Sequence, residues 1–217
     1  MILVKNLFLK YIREYYALYD ITLNVEKGEK VCFVGEEDSG KTSLIRILAK
    51  LEKFNSGEVE INGKKIKDIN YKKDISIGYI PVNPIFIGSK NIEQNFYYIL
   101  KSRKVSLEQA KEKVDAVIKE FGLEKYKNFK PHELPLYERY LASFARLKLR
   151  KLDLVLIDNI FDNICDENKE LLIKLIFEKF VLNAELTSII ATSNMEIANK
   201  LGTRNIYFKS GSLVESL

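Results

Sequence analysis

The chain has 217 residues, of which 47% are hydrophobic and 30% are charged, with 10 Gly and 4 Pro. This composition predicts a single globular domain with a buried core and excludes a disordered or collagen-like chain. Lys and Arg number 35 against 30 Asp and Glu, and both signs are mixed along the chain, so the net charge of +5 argues against nucleic acid as a partner.

The first half of the chain begins with segments that alternate in the manner of β-strands. Strands are predicted at 2–9, 18–25, 30–34 and 58–61, and a helix at 41–51 follows the third strand through a glycine-bearing loop. A strand at 75–80 then precedes three predicted helices at 91–100, 106–121 and 136–151. Ser106 and Gln109 are predicted to form a capping box at the start of the second of these helices.

From residue 152 onward, strands and helices alternate again. Strands are predicted at 152–158, 187–192, 204–209 and 212–216, with helices at 167–182 and 195–201. Such alternation predicts a mainly parallel sheet. We therefore expect an α/β fold whose core comprises residues 1–84 and 152–217, with an antiparallel β part at the N-terminus and an inserted helical lobe at 85–151.

The loop after the third predicted strand fits the pattern GxxxxGK[ST] and leads into an amphipathic helix. Backbone N–H groups of such a loop bind phosphate, its lysine neutralises phosphate charge, and its threonine hydroxyl binds Mg²⁺. The sequence therefore predicts a nucleotide site formed by Gly35, Asp38, Ser39, Gly40, Lys41, Thr42 and Ser43. Asp38 is the unfavourable member, because it sets a carboxylate near the phosphates.

A second partner for Mg²⁺ is predicted at Asp158, which ends an apolar strand. P-loop NTPases use a carboxylate at this place to hold the ion. We predict Thr42 and Asp158 as the metal site, with Asp158 acting through water. The alternative is an ordinary aspartate at the end of a strand that caps the following turn.

Other residues with potential chemistry have no predicted role. Cys32 and Cys165 lie in unrelated contexts and form neither a disulfide framework nor a metal pair, which favours a reducing cytoplasm. His132 is the single histidine and has no neighbour at metal-ligand spacing. No apolar run approaches the ~18 residues of a membrane span, so we expect a soluble chain.

The order of landmarks along nearly the full length resembles that of ATP-binding cassette (ABC) subunits. The matching segments are, in chain order, LKY with YALYDITLNVEKGEKVCFVG, SGEVEINGKKI, IGYIPVNP with NIEQNF, PHELPLYERYLASFARL, and LVLIDNIF. The resemblance implies a P-loop NTPase of ABC type that binds ATP with Mg²⁺. It also implies Tyr11 as the aromatic side chain that stacks on adenine, with Tyr15 and Tyr16 as competitors.

Several positions that carry chemistry in this family hold other residues here. Val82 replaces the Q-loop glutamine, Asn159 the glutamate that activates water, and Ser193 the switch histidine, while Cys165 aligns with the D-loop aspartate. The signature LSGGQ is replaced by Leu134, Pro135, Leu136, Tyr137 and Glu138, here called the signature segment (residues 134–138). Proline lacks an N–H group and Glu138 adds negative charge, so we expect the signature segment to reject phosphate.

The resemblance and the replacements together imply an ATP-binding subunit with impaired hydrolysis, because an amide cannot accept the proton of water. Its expected place is the cytoplasmic face of a membrane, docked on a permease through the helical lobe, and a second, active cassette is a further candidate partner. Two alternatives stay open. One is an active transport ATPase that uses Asn83, Asn159 and Asn194 as substitutes, and the other is a soluble ABC protein without a permease.

Overall fold

The computed structural model describes residues 1–12, 15–71, 73–102, 105–162 and 164–216; the remaining positions of the predicted core and lobe lie outside the described residues. The strands of the described part are, in chain order, β1 (Ile2–Ile12), β2 (Tyr15–Val25), β3 (Lys30–Val34), β4 (Ser56–Ile61), β5 (Lys64–Lys65), β6 (Ile77–Ile80), β7 (Leu154–Asp158), β8 (Thr187–Thr192), β9 (Arg204–Lys209) and β10 (Ser212–Val214). The helices are α1 (Lys41–Leu48), α2 (Ile92–Lys101), α3 (Leu107–Glu120), α4 (Leu136–Lys148), α5 (Asp166–Ile176) and α6 (Met195–Leu201).

The central sheet has the strand order β10-β9-β3-β8-β7-β6 in the described ranges. Neighbouring strands from β9 to β6 pair in parallel, and β10 pairs antiparallel with β9. Because parallel strands need long crossover connections, the helices lie between them in the sequence. The carboxyl ends of β3 and β7 lie at the same edge of this sheet, which brings the loops that follow them together.

Both faces of the central sheet are buried, as the apolar sequence of its strands predicts. Along β3, Val31 and Phe33 pack into a hydrophobic cluster with α1 and the N-terminal strands. Cys32 and Val34 point to the opposite cluster, which contains residues of α2 to α6. Cys32 is thus a core residue, and burial raises the pKa of its thiol to about 12.

The N-terminal strands form a separate antiparallel sheet in the order β2-β1-β4-β5, as far as the described residues extend. β1 pairs with β2 from Ile2 opposite Val25 to Ile12 opposite Tyr15, with several irregularities in register. This sheet covers the face of the central sheet on which α1 lies. The long β1 and β2 strands bring Tyr11 and Tyr15 toward the start of α1.

The helices α2, α3 and α4 follow β6 and precede β7, in the range where the sequence predicts an inserted lobe. The predicted capping box at Ser106 is wrong: Ser106 Oγ accepts from the Gln109 backbone at 3.3 Å, and the described contacts give no return bond. The reciprocal box forms instead at α2, between Asn91 and Gln94. Among the described helices, none is long and apolar enough to cross a bilayer.

Some predicted boundaries differ from the structure for local reasons. The helix predicted at 41–51 ends at Leu48, and Lys50 takes a left-handed backbone conformation (φ 59°) that cannot continue it. The helix predicted at 167–182 ends at Ile176 and continues as a π-helical turn over Phe177–Val181. The strand predicted from 75 begins at Ile77, because the backbone of Ser76 bonds to Asp153.

Candidate functional site

The phosphate loop, residues 35–42, connects β3 to the first turn of α1, as the sequence predicts. Gly40 has a φ of 103°, and a Cβ atom there would lie 2.6 Å from the Ala17 carbonyl oxygen. At Gly35 a Cβ atom would lie 2.3 Å from the Phe208 carbonyl oxygen. Asp38 has a φ of 57°, which Asp tolerates better than most side chains. The glycines of the motif therefore stand where the backbone leaves no room for a side chain.

Lys41 is buried inside this loop, with 4% of its surface exposed. Its Nζ donates to the carbonyl oxygens of Gly35 at 2.7 Å and Glu36 at 2.6 Å, and to Ser39 Oγ at 2.9 Å. Burial lowers the pKa of the Lys41 ammonium, and nearby carboxylates, first among them Asp158, oppose that change. The loop thus fixes a cation where the phosphates of a nucleotide bind in P-loop proteins.

The structure brings the two predicted metal ligands together. Thr42 Oγ1 donates to Asp158 Oδ1 at 2.8 Å, and the hydroxyl of Tyr79 on β6 donates to Asp158 Oδ2 at 3.2 Å. Burial raises the pKa of Asp158 above its ordinary value of 3.8, although both hydrogen bonds oppose the rise. Burial beside this carboxylate also raises the pKa of Tyr79, which keeps its hydroxyl a donor.

The chemistry of this pair fits Mg²⁺, which prefers oxygen ligands and commonly uses one or two carboxylates together with substrate phosphates and water. In the described part of the chain, no three His, Cys, Asp or Glu side chains cluster into a metal cage made of protein alone. Thr42 and Asp158 would therefore hold the ion together with phosphate oxygens. When bound, the ion supplies positive charge against the phosphates.

A cavity of about 700 Å³ borders the phosphate loop, a size common for small-molecule sites. Its walls outside the loop are Tyr11, Tyr15, Ala17, Ser43, Arg46, Val82, Asn159 and Asp162. The hydroxyl of Tyr11 lies 3.2 Å from Ser43 Oγ. Tyr15 borders the same cavity, whereas Tyr16 packs edge-on against Phe8 and Tyr19. Of the three tyrosines considered for adenine, Tyr11 and Tyr15 thus face the site.

The three positions at which the resemblance implies replaced family residues, Val82, Asn159 and Ser193, converge only in part. Val82 borders the cavity, and its carbonyl oxygen accepts a hydrogen bond from the buried Tyr140 hydroxyl on α4. Asn159 has a left-handed backbone (φ 50°), and its Nδ2 donates to Asp162 Oδ2 at 2.8 Å. Ser193 Oγ lies 3.5 Å from Asp162 Oδ1. The positions 159 and 193 therefore meet at a carboxylate that the sequence analysis did not consider.

Two other positions named in the sequence analysis, Asn194 and Cys165, are not among the residues that border this cavity. Asn194 caps α6, because its Oδ1 accepts from the backbone N–H groups of Glu196 and Ile197. Cys165 is exposed at the start of α5, and the adjoining Asp166 forms an ion pair with Lys169 at 2.9 Å. Asn194 thus has its acceptor occupied by a helix end and not by a ligand.

The signature segment folds onto its own lobe. α4 begins at Leu136 directly after Pro135, and Leu134 is buried with 3% exposed. Glu138 lies in the first turn of α4 and accepts a hydrogen bond from the Tyr126 hydroxyl at 2.9 Å. A carboxylate in the first turn also complements the positive end of the helix dipole. This helix N-terminus therefore has a negative partner within the chain.

Three residues that contact the predicted site residues were not identified from the sequence: Tyr79, Tyr126 and Asp162. Tyr79 lies in a strand beside β7, a neighbour that only the sheet order reveals. Tyr126 is twelve residues before its partner in a short turn. Asp162 follows Asp158 by four residues, and a second carboxylate so close after the strand was the available signal.

The sequence profile described as ABC transporter matches residues 18–162. The chain belongs to the ABC transporter family. The match runs from β2 through the phosphate loop and α4 to Asp162, so it includes both the site and the helical insertion. The predicted family and the predicted ligands, ATP with Mg²⁺, are confirmed for this cassette.

Curated relatives are similar over most of this cassette but are longer. The Fe(3+) ions import ATP-binding protein FbpC of Fusobacterium nucleatum is 26% identical over 194 residues, which span 89% of this chain and 52% of that protein. A putative ABC transporter ATP-binding protein of Bacillus thuringiensis is 32% identical over 199 residues, which span 91% of this chain and 35% of that protein. The cassette thus spans about half or less of the length of these two relatives.

Solved structures of cassettes have the same fold. A dimeric post-hydrolysis structure of the ATP-binding cassette MJ0796 bound to ADP and Pi superposes with a TM-score of 0.86 at 25% identity, covering 98% of this chain and 96% of that one. The structure of cbiO1 from Clostridium perfringens gives a TM-score of 0.81 at 21% identity, covering 98% and 86%. The predicted ABC-type α/β fold is therefore confirmed.

Proposed function

We propose that this cassette is the ATP-binding subunit of an ABC transport complex, and that it binds ATP·Mg²⁺ but hydrolyses it slowly. It acts at the cytoplasmic face of a membrane, docks on a permease through the helical lobe (residues 85–151), and pairs with a cassette whose signature is intact. The observation that carries the proposal is the contrast between the Thr42–Asp158 pair at 2.8 Å and Glu138, which is bonded to its own lobe.

Slow hydrolysis is supported by the side chain at position 159. The Asn159 amide can orient water but cannot accept its proton, and loss of a general base costs about 10²- to 10⁴-fold in rate. The Nδ2 group is also engaged with Asp162 at 2.8 Å. Binding and hydrolysis are therefore expected to be separable in this cassette.

Pairing with a different cassette is supported by the signature segment. In the sandwich that the resemblance implies, the signature of each subunit completes the phosphate site of the other. A homodimer would set Pro135, Tyr137 and Glu138 against both nucleotides. Proline offers no N–H group, and the carboxylate repels phosphate. A partner with an intact signature removes that mismatch from the phosphate loop of this chain.

Docking through the lobe is supported by apolar surface on α2 and α3. Tyr98 is 61% exposed and Leu107 is 87% exposed, and both border a cavity of about 610 Å³. Lys90 and Lys101 lie at the same cavity. Exposed apolar surface with a charged rim is typical of a protein interaction site. A helix of a membrane subunit with apolar and acidic side chains would fit this surface.

The nucleotide part is tested by equilibrium titration with a fluorescent ATP analogue and Mg²⁺, followed by a steady-state phosphate assay. We expect saturable binding in the wild type, its loss in Lys41→Ala, and unchanged binding in Lys27→Ala, an exposed lysine in a turn. Turnover is expected well below ~1 s⁻¹, the low end of ordinary enzymes. Binding that ignores Lys41→Ala, or turnover in the ordinary range, contradicts the proposal.

The docking part is tested by site-specific photocrosslinking in the source cells. A photoreactive residue at position 98 should crosslink to an integral membrane protein, while the same residue at Leu182, which is also exposed at 62%, should not. Crosslinking from both positions, or from neither, contradicts docking through the lobe.

A further inference from the structure

Three polar side chains meet beside the phosphate loop. Asn159 and Asp162 belong to the loop after β7, and Ser193 follows β8. The Asn159 amide donates to Asp162 Oδ2 at 2.8 Å, and the Ser193 hydroxyl lies 3.5 Å from Asp162 Oδ1. Each oxygen of Asp162 therefore has a neighbouring donor that restricts the carboxylate.

Asp162 faces the nucleotide cavity. It is exposed, and it forms part of the same cavity wall as Lys41 and Thr42. Its negative charge acts on the Lys41 ammonium, where it opposes the lowering of the pKa that burial causes. The carboxylate thus lies within electrostatic reach of the group that neutralises the phosphates.

Hydrolysis requires a group that accepts a proton from the attacking water. Asp158 is buried, and its carboxylate is already assigned to Mg²⁺ together with Thr42. Glu37 and Asp38 also border the cavity, but the described contacts give neither carboxylate a hydrogen-bond donor that would orient it. The Asn159 amide is not basic at neutral pH. Among the described residues that border this cavity, Asp162 is the remaining carboxylate, and it has hydrogen-bond donors that orient it.

We propose that Asp162 accepts the proton of the attacking water in the slow hydrolysis of ATP by this cassette, with Asn159 and Ser193 as positioning residues. The water oxygen forms a bond to the γ-phosphorus, and the bond from the γ-phosphorus to the bridging oxygen breaks. The electron pair of that bond leaves with ADP, and one water proton passes to Asp162. Because Asp162 is exposed, the proton then passes to solvent. This inference rests on the proposed ATP binding at the phosphate loop.

The first measurement is single-turnover hydrolysis of radiolabelled ATP·Mg²⁺ by an excess of the full chain. Asp162→Asn should slow it by about 10²-fold, the lower end of general-base effects. Asp162→Glu keeps a carboxylate and should stay within about tenfold of the wild type. Asp115→Asn, an exposed aspartate on α3, is the matched control and should keep the wild-type rate.

The second measurement is binding, which reports on Asp162 independently of turnover. Removing a negative charge near the phosphates should strengthen ATP·Mg²⁺ binding more than ADP·Mg²⁺ binding in Asp162→Asn. A merely structural role would weaken the binding of both nucleotides and lower the melting temperature.

Three results would overturn the inference: an unchanged rate in Asp162→Asn, equal losses of rate and of ATP affinity in that variant, or no single-turnover hydrolysis by a wild type that binds ATP. The last result leaves the proposed function intact. If the wild type binds no ATP, the proposed function itself fails, so the two failures are distinguishable.

Discussion

Two helix N-termini in this chain, those of α1 and α4, differ in what they offer to an anion. α1 begins after Gly40 with Lys41 buried beneath the loop and no acidic residue in its first turn. α4 begins after Pro135 and carries Glu138 in its first turn, bonded to Tyr126. A helix N-terminus binds phosphate only when its N–H groups are free and no negative charge competes. We therefore expect the N-terminus of α1 to bind phosphate and that of α4 not to bind it.

The largest effect is expected on ATP-dependent dimerisation, when the family signature is restored at the start of α4. We expect the wild type to stay monomeric with ATP·Mg²⁺, since the signature segment offers no phosphate contact. The quadruple variant Pro135→Ser, Leu136→Gly, Tyr137→Gly and Glu138→Gln should dimerise with ATP·Mg²⁺, with an association constant at least about 100-fold higher, the gain expected from two charge-assisted contacts. Sedimentation velocity with a non-hydrolysable analogue measures this. A wild-type homodimer induced by ATP would contradict the difference between the two helix ends.

Mg²⁺-dependent ATP binding at the phosphate loop should weaken when the negative charge of Asp158 is removed. Asp158→Asn keeps the size of the side chain and can still accept from Thr42, but it removes the charge that attracts Mg²⁺. We expect Mg²⁺ to support ATP binding about 10- to 100-fold less well, as for other outer-shell partners of metals. Titration of Mg²⁺ at fixed ATP analogue measures the change, with Asp115→Asn as the control. An unchanged Mg²⁺ requirement would place the ion elsewhere.

The raised pKa of Asp158 predicts that both the stability of the fold and Mg²⁺-dependent ATP binding vary with pH. The folded protein binds that proton more tightly than the unfolded chain does, so the free energy of unfolding falls as the pH rises from 3.8 through the raised pKa. Mg²⁺-dependent binding should weaken in the opposite direction, as the pH falls through the same range. Asp158→Asn should remove both slopes. Chemical unfolding and ATP titration across pH test this, and a slope that survives in the variant would assign it to another group.

A smaller effect is expected within the lobe. Tyr126→Phe removes the hydrogen bond to Glu138 and should lower the free energy of unfolding by about 1 kcal/mol. ATP affinity should not change, because this contact belongs to the closed helix end. Urea unfolding and analogue titration measure the two quantities. A change in ATP affinity would show that the signature segment communicates with the phosphate loop of its own chain.

The smallest effect is expected for Asn159→Glu alone. Glutamate at position 159 has no N–H group to donate to Asp162, and it sets two carboxylates close together. The signature segment is unchanged in this variant. We expect steady-state turnover to remain below ~1 s⁻¹. A rise to or above that rate would show that position 159, and not the signature segment, limits hydrolysis.

The phosphate loop could be predicted from sequence because its chemistry is local. Gly35 and Gly40 lie in the loop after β3, and Lys41 and Thr42 begin the helix that follows, so their spacing along the chain fixes their geometry. The place of Asp158 could be predicted as well, since it ends an apolar strand in a chain that already carries a phosphate-loop motif. The order of strands and helices could be predicted because the helices have apolar residues at helical spacing, while the central strands, which are buried on both faces, are short apolar runs.

Contacts between elements could not be predicted in the same way. Asp162 meets Ser193 across 31 residues, and Tyr79 meets Asp158 across 79, so only the sheet order brings them together. The orientation of Glu138 toward Tyr126 depends on how a short turn packs against α4. The capping box was misplaced because Ser106 and Asn91 have the same local pattern, with Gln three residues later.

The buried hydroxyl of Tyr140 ties α4 to the main-chain carbonyl of Val82, in the segment after β6. Every residue has a main-chain carbonyl oxygen, so this hydrogen bond does not depend on which side chain occupies position 82. If α4 moves as a rigid body, this hydrogen bond would displace the peptide group of Val82, which borders the cavity at the phosphate loop. The contact between α4 and this wall of the cavity is therefore made by a main-chain atom of position 82.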